Sequence, residues 1–205
     1  ASTDLAGHNI GLQLEVGHIG PEASALHITS AQAQTLISDG LSFVAHDNIA
    51  MDVTGAGATH LSNSLKELEK LHVDAVAISG DALGGLTVQL GDTDLHSAVT
   101  GAAGGAGELM PVFEGGGHVA LEMNAGDLTA DLGNLAGATG DAAILQARGI
   151  TEINVDVSGD PSALDVTSLD SLVGADGAST PLLNSLHTAS TDLAGHNIGL
   201  QLEVG

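Results

Sequence analysis

Apolar and polar residues alternate in one short pattern that returns along the chain. An aliphatic residue takes every second place, and a glycine closes the run. The pattern reads NIGLQLEVG (Asn9 to Gly17), NIAMDVTG (Asn48 to Gly55) and DAVAISG (Asp74 to Gly80). It returns as HVALEMNAG (His118 to Gly126), EINVDVSG (Glu152 to Gly159) and once more from Asn197 to Gly205. Strict alternation predicts half-buried strands. In the first, Ile10, Leu12, Leu14 and Val16 are expected to face inward, with Gln13 and Glu15 outward. The closing glycines lie 38, 25, 46, 33 and 46 residues apart, and each allows a sharp turn at positive φ.

Shorter strands are predicted at SALHITS (Ser24 to Ser30), SALDVTS (Ser162 to Ser168) and LTVQLG (Leu86 to Gly91). Helical spacing appears between strands. Ala33, Leu36 and Ile37 share one face of a segment ending at Gly40, and Leu61, Leu65, Leu68 and Leu71 share another, with Thr59 or Ser62 as caps. A short helical segment is read near Glu108 to Phe113, interrupted by Pro111. Asp141 is the expected cap of AAILQARG, which stops at Gly149. Ser179 or Thr180 is the expected cap of PLLNSLHT, with Pro181 in the first helical position.

Residues 1–17 and 189–205 are identical, ASTDLAGHNIGLQLEVG, at an offset of 188 residues (189 − 1). The expected organisation is therefore a window from a longer tandem array. Residues 1–188 form one unit, and residues 189–205 supply the first strand of the next. Within the unit, about five degenerate strand–turn–strand–helix repeats are expected, ending near Gly17, Gly55, Gly80, Gly126 and Gly159. Helices between strands of one pattern imply crossovers and parallel pairing. The predicted fold class is an α/β repeat, solenoid-like or a continuous parallel β-sheet flanked by short helices. A string of compact 188-residue α/β domains is the alternative.

Composition narrows the chemistry. Apolar residues make up 43% of the 205, yet Phe43 and Phe113 are the only aromatics, so an aliphatic core is expected. Asp and Glu number 26 against three basic residues, Lys66, Lys70 and Arg148, for a net charge of −23. That balance excludes a phosphate-binding, nucleic-acid groove and argues against adhesion to anionic membranes. It favours cations as partners. No apolar run reaches the roughly 18–20 residues of a membrane span, so no membrane insertion is expected. The chain has no Cys, no GxSxG and no P-loop, and a catalytic role is not expected.

Carboxylates supply the candidate cation ligands. Glu15, Asp52, Glu122 and Asp156 recur at one outward position of the strand pattern, where stacked parallel strands would set them about 4.8 Å apart. Asp81, Asp127 and Asp160 directly follow closing glycines, and Asp92 and Asp94 form a close pair. A hard cation such as Ca²⁺ takes 6–8 oxygen ligands and would relieve the repulsion within such a row. The competing reading is solvated faces and Asx turns. Among ten histidines, His8, His46, His118 and His196 fall just before long strands, with His72 close to such a place. A column of them would make a metal ladder or a pH switch; the alternative is a tolerated polar residue at the strand start.

The stretches ITSAQAQTLISDGLSFVAHDNIAMDVTG (Ile28 to Gly55) and LKELEKLHVDAVAISGD (Leu65 to Asp81) resemble segments of giant tandem-repeat bacterial extracellular proteins. These are biofilm-matrix and surface adhesins or fibre-forming proteins, often exported by a one-step (type I) route. The resemblance implies secretion to the cell surface or beyond, Ca²⁺-assisted folding, and cohesion or attachment. The function expected from the whole sequence is a structural unit of a self-assembling filament, sheath or matrix fibre, whose partners are copies of itself and divalent cations. A non-assembling adhesin stalk is the alternative.

Overall fold

A computed structural model describes residues 12–14, 25–45, 47–54, 61–91, 94–101, 110–156 and 181–203. Among these residues ten strands occur, mostly in pairs separated by helices. The strands are β1 (Leu12–Leu14), β2 (Leu26–Thr29), β3 (Leu41–Phe43), β4 (Ile49–Val53), β5 (Ala75–Ile78), β6 (Leu86–Gln89), β7 (Val112–Glu114), β8 (Val119–Asn124), β9 (Glu152–Asp156) and β10 (Gly199–Glu203). The helices are α1 (Ser30–Ser38), α2 (Leu65–Leu71), α3 (Leu95–Thr100), α4 (Ala125–Ala130), α5 (Leu132–Leu135), α6 (Asp141–Ala147) and α7 (Pro181–Ala194), with a 3₁₀ turn at Gly80–Gly84.

The fold is α/β with parallel sheets. One four-stranded sheet runs β2-β4-β5-β7 and another β6-β8-β9-β10, while β1 pairs with β3. Every pairing among the described strands is parallel. The alternating pattern sets the faces. In β9, Ile153 and Val155 are buried while Glu152, Asn154 and Asp156 are half-buried. In β4 and β8 the small outward residues Ala50 and Ala120 are buried as well. Apolar rows cross each sheet: Ile28–Met51–Val76–Phe113 in the first and Val88–Leu121–Ile153–Leu200 in the second. One continuous core extends from Ile28 to Ile198. It is built mainly of Leu, Ile, Val, Ala and Met, and both phenylalanines lie in it. Each fully buried Val, Leu, Ile or Met side chain contributes about 1.5–3 kcal/mol.

Helix ends are specified by local chemistry. Thr29 with Gln32 caps α1, and Ser64 with Glu67 caps α2, both as reciprocal capping boxes. Three helices end alike. The amides of Val73, Ile150 and Ile198 each donate across five residues to the carbonyls of Leu68, Leu145 and Leu193, at 3.0 Å in every case. The intervening residue is left-handed each time: His72 (φ 61°), Gly149 (φ 91°) and Asn197 (φ 57°). This is the Schellman cap, and its flanking leucines and β-branched residues are all buried.

Several expectations are corrected at this level. Leu61 lies outside α2 and donates its amide to Thr87. The cap of α2 is Ser64, because Glu67 three residues on completes the box; Ser62 instead bonds Ser30 at 2.8 Å. Beyond Pro111, residues Val112–Glu114 form strand β7, while Glu108 and Leu109 lie outside the described residues and the preceding described helix is α3. Asp141 is the first residue of α6, with Gly140 at the cap position and no side-chain cap bond. Helix α7 starts at Pro181 but runs on to Ala194, so the repeated segment 189–205 carries a helix end as well as a strand. SALDVTS and the caps Ser179 and Thr180 lie outside the described residues.

Candidate functional site

The carboxylates stack only in part: Asp156 lies beside Glu203, the second copy's counterpart of Glu15, while Glu122 and Asp52 have no acid beside them. Glu122 lies opposite Gln89 on one side and Asn154 on the other, and Asn154 lies opposite Gln201. Asp156 lies opposite Asn124 and Glu203, two places further along the strand. Asp52 belongs to the other sheet, between Thr29 and Ala77. Glu122 and Asp52 are thus flanked by amides or small residues, which lowers the repulsion that a stacked row would carry, while the Asp156–Glu203 pair retains it.

Three of the candidate ligands, Asp94, Asp127 and Asp52, have local partners. Asp94 caps α3: its Oδ1 accepts the Ser97 amide and its Oδ2 the Ser97 hydroxyl, both at 2.7 Å. Those bonds hold its carboxyl below the usual carboxylate range. Asp127 accepts the Asn124 side-chain amide at 2.6 Å while Asn124 caps α4. Asp52 faces the ring of His27, 2.8 Å away, with His27 exposed and Asp52 half-buried. Glu122, Asp127 and Asp156 do line one shallow cleft of about 170 Å³, at the carboxyl ends of β6, β8 and β9. Asp81 lies in the 3₁₀ turn. Glu15, Asp92 and Asp160 fall outside the described residues. Among the described residues, no three His, Cys, Asp or Glu side chains are placed to hold a metal ion.

The histidines occupy unlike places. His72 is the left-handed cap of α2. His196 lies 3.3 Å from Gln146 Oε1. His118 Nε2 lies 3.3 Å from Glu152 Oε2, which also accepts Gln201 Nε2 at 2.6 Å. His8 and His46 are outside the described residues.

A polar cluster that sequence reading missed surrounds the start of α3. The His96 amide donates to Asp131 Oδ2 at 3.0 Å, and its ring Nδ1 lies 3.1 Å from both oxygens of Asp141. Asp131 and Asp141 are both buried. Burial pushes the Asp141 carboxyl up, His96 opposes that shift, and the charges of Asp131 and Asp94 add to it. His96 and Asp141 are 45 residues apart, and nothing in local spacing announces the contact.

The two identical segments are used differently. In β10, the Gly199 amide donates to Thr151 at 2.9 Å, so β9 is reached by residues 199, 201 and 203. Successive residues of a strand present their backbone groups to opposite edges. In β1, the Leu14 carbonyl accepts the Val44 amide at 3.1 Å beyond β3. Leu14 corresponds to Leu202, a member of the alternate set. Thus β3 pairs along the edge that, in the second copy, points away from β9. Leu14, opposite buried Phe43, is half-buried. Leu202 is 39% exposed.

No protein-family model, curated protein or solved structure matches this chain.

Proposed function

We propose that this chain is a unit of a tandem array that builds a long extracellular filament, sheath or matrix fibre. The observation that carries the reading is the double use of one sequence. Laying β1 on β10 makes a single strand with β9 on one edge and β3 on the other. The sheet β6-β8-β9-β10 then continues into β3 of the following unit, with the row Ile153–Leu200 extended by Leu41. Edge strands are templates for further pairing, and here the continuation is written in the sequence.

Two further features support a one-directional, solenoid-like repeat. Strand order across each four-stranded sheet follows chain order, without the reversal typical of doubly wound folds. The succession strand, strand, helix also recurs, as β1-β2-α1, β3-β4-α2 and β5-β6-α3, with β7-β8 followed by α4, α5 and α6. Such units cover one another's apolar faces. Divalent cations serve this assembly by screening the net charge of −23. The extracellular setting rests on the resemblance of residues 28–55 and 65–81 to bacterial surface and matrix repeats.

Negative-stain electron microscopy of a covalent tandem of units, in EDTA and in millimolar Ca²⁺, tests the reading. Straight rods that lengthen with unit number, together with a thermal midpoint raised by Ca²⁺, are expected. Beads separated by flexible links would overturn the continuous sheet, and rods that never associate would favour the stalk. Identical melts in the two buffers would remove the cations.

A further inference from the structure

We infer that the duplicated segment is an exchangeable docking element, through which a second copy of this chain adds head to tail: residues 200–202 of one chain take the β3 edge of the next in place of its residues 12–14. The inference rests on the tandem reading above and extends it from units within a chain to units on separate chains.

Identity of sequence is the first support. Residues 200–202 carry the same side chains as residues 12–14, which lie on β3 in the register Leu12–Leu41, Gln13–Ser42 and Leu14–Phe43. The incoming strand therefore reproduces every pairing it replaces. The second support is the open edge. The alternate residues of β10 direct their backbone groups away from β9, and among the described strands β10 closes its sheet. Leu202 is left 39% exposed there, whereas its counterpart Leu14 is half-buried opposite Phe43. Docking would cover that leucine. The third support is order. Strand β10 is already held by β9 at five registered positions and by the Schellman cap of α7. Its ordering precedes docking, while the displaced segment regains chain freedom. Donor and acceptor edges belong to different parts of the chain, so the contact is heterologous and the assembly is open-ended. Added strands of this kind draw affinity from main-chain bonds and selectivity from alternate side chains.

The chain contains no Cys, so introduced thiols report the contact alone. Two full-length variants are mixed, one carrying Ser42→Cys and the other Gln201→Cys, the latter isotopically heavy. They are warmed to allow exchange, cooled and mildly oxidised. Gln201 corresponds to Gln13, the registered partner of Ser42, and strands about 4.8 Å apart place Cα atoms within disulfide range, so heterodimers about tenfold above either homodimer are expected. Excess peptide ASTDLAGHNIGLQLEVG should suppress them. Heterodimers no more abundant than homodimers, or indifferent to the peptide, would overturn the inference. A Gln13→Cys, Ser42→Cys chain that closes an internal disulfide verifies the register in the same conditions. Rods from the covalent tandem without heterodimers would sink exchange alone and leave the tandem reading standing.

Discussion

The crossing from β4 to β5 and the crossing from β8 to β9 do the same job with different residues. Each leaves a strand, passes through helix and returns parallel to the strand it left. Each ends in the same Schellman cap, at His72 in one and Gly149 in the other. The returning residue then pairs with the start of the earlier strand. The Asp74 amide donates to Ile49 and its Oδ2 accepts the Ile49 amide at 2.9 Å. The Thr151 amide donates to Val119 and its Oγ1 accepts the Val119 amide at 3.0 Å. Backbone geometry is retained while the side chains that serve it change. Weak sequence similarity between two such crossings is therefore compatible with near-identical hydrogen bonding.

The cap residues give the largest test of that equivalence, because they predict opposite signs. At Gly149 a Cβ would collide with the Phe113 carbonyl, and φ is +91°. Left-handed backbone alone costs an ordinary residue about 1–2 kcal/mol, so Gly149→Ala should lose about 2–4 kcal/mol in urea denaturation. His72 already bears the left-handed strain, so His72→Gly should gain about 0.5 kcal/mol. Losses of equal size at both positions would break the comparison.

A smaller effect separates the two return residues. Ile49 and Val119 are buried, so removing the side-chain acceptor leaves a buried amide unpaired, at about 1–3 kcal/mol. Asp74→Ala should lie at the upper end because its bond is charge-assisted, Thr151→Val at the lower, and Asp74→Asn should restore most of the loss. Denaturation midpoints order the three variants. Equal costs for Asp74→Ala and Asp74→Asn would show that charge, rather than an acceptor, is what Ile49 requires.

These crossings also mark what sequence conveys and what it hides. Alternation located β4, β5, β6, β8 and β9, and Gly149 announced the end of α6. The three-residue strands β3 and β7 are too short to show a period. The capping box Ser64-Leu65-Lys66-Glu67 was written in the sequence and outweighs the leucine spacing that put Leu61 in the helix. Register was hidden for a physical reason. A slip of one residue inverts the faces of a strand, but a slip of two preserves them. Matching strand patterns sets Glu122 beside Asp156; the bonds set it beside Asn154. Hydropathy is blind to that difference, and the candidate acidic row depended on it. The contact of His96 with Asp141 depended on tertiary packing and had no local sign.

The helix starts provide the subtlest contrast between the crossings. Helix α2 begins with Ser64 and Glu67 satisfying each other's backbone amides. Helix α6 begins with Asp141 turned into a buried contact with His96, near Asp131 and Asp94. Burial raises the Asp141 carboxyl above its unfolded value of 3.8, so its ionised form destabilises the folded chain at neutral pH. As pH falls through the raised folded value, the native state takes up the proton before the unfolded chain does, and this cost disappears by about pH 3.8. Asp94 runs the other way: its contribution is present above 3.8 and is lost as pH falls through its lowered folded value. Asp141→Asn keeps an acceptor for His96 without the charge. It should exceed the parent chain in stability at neutral pH, by less than the preceding effects, and the advantage should shrink as pH drops toward 3.8. An advantage that is constant with pH would assign it to packing, and a loss at neutral pH would mean that the ion pair with His96 outweighs the burial of the carboxylate.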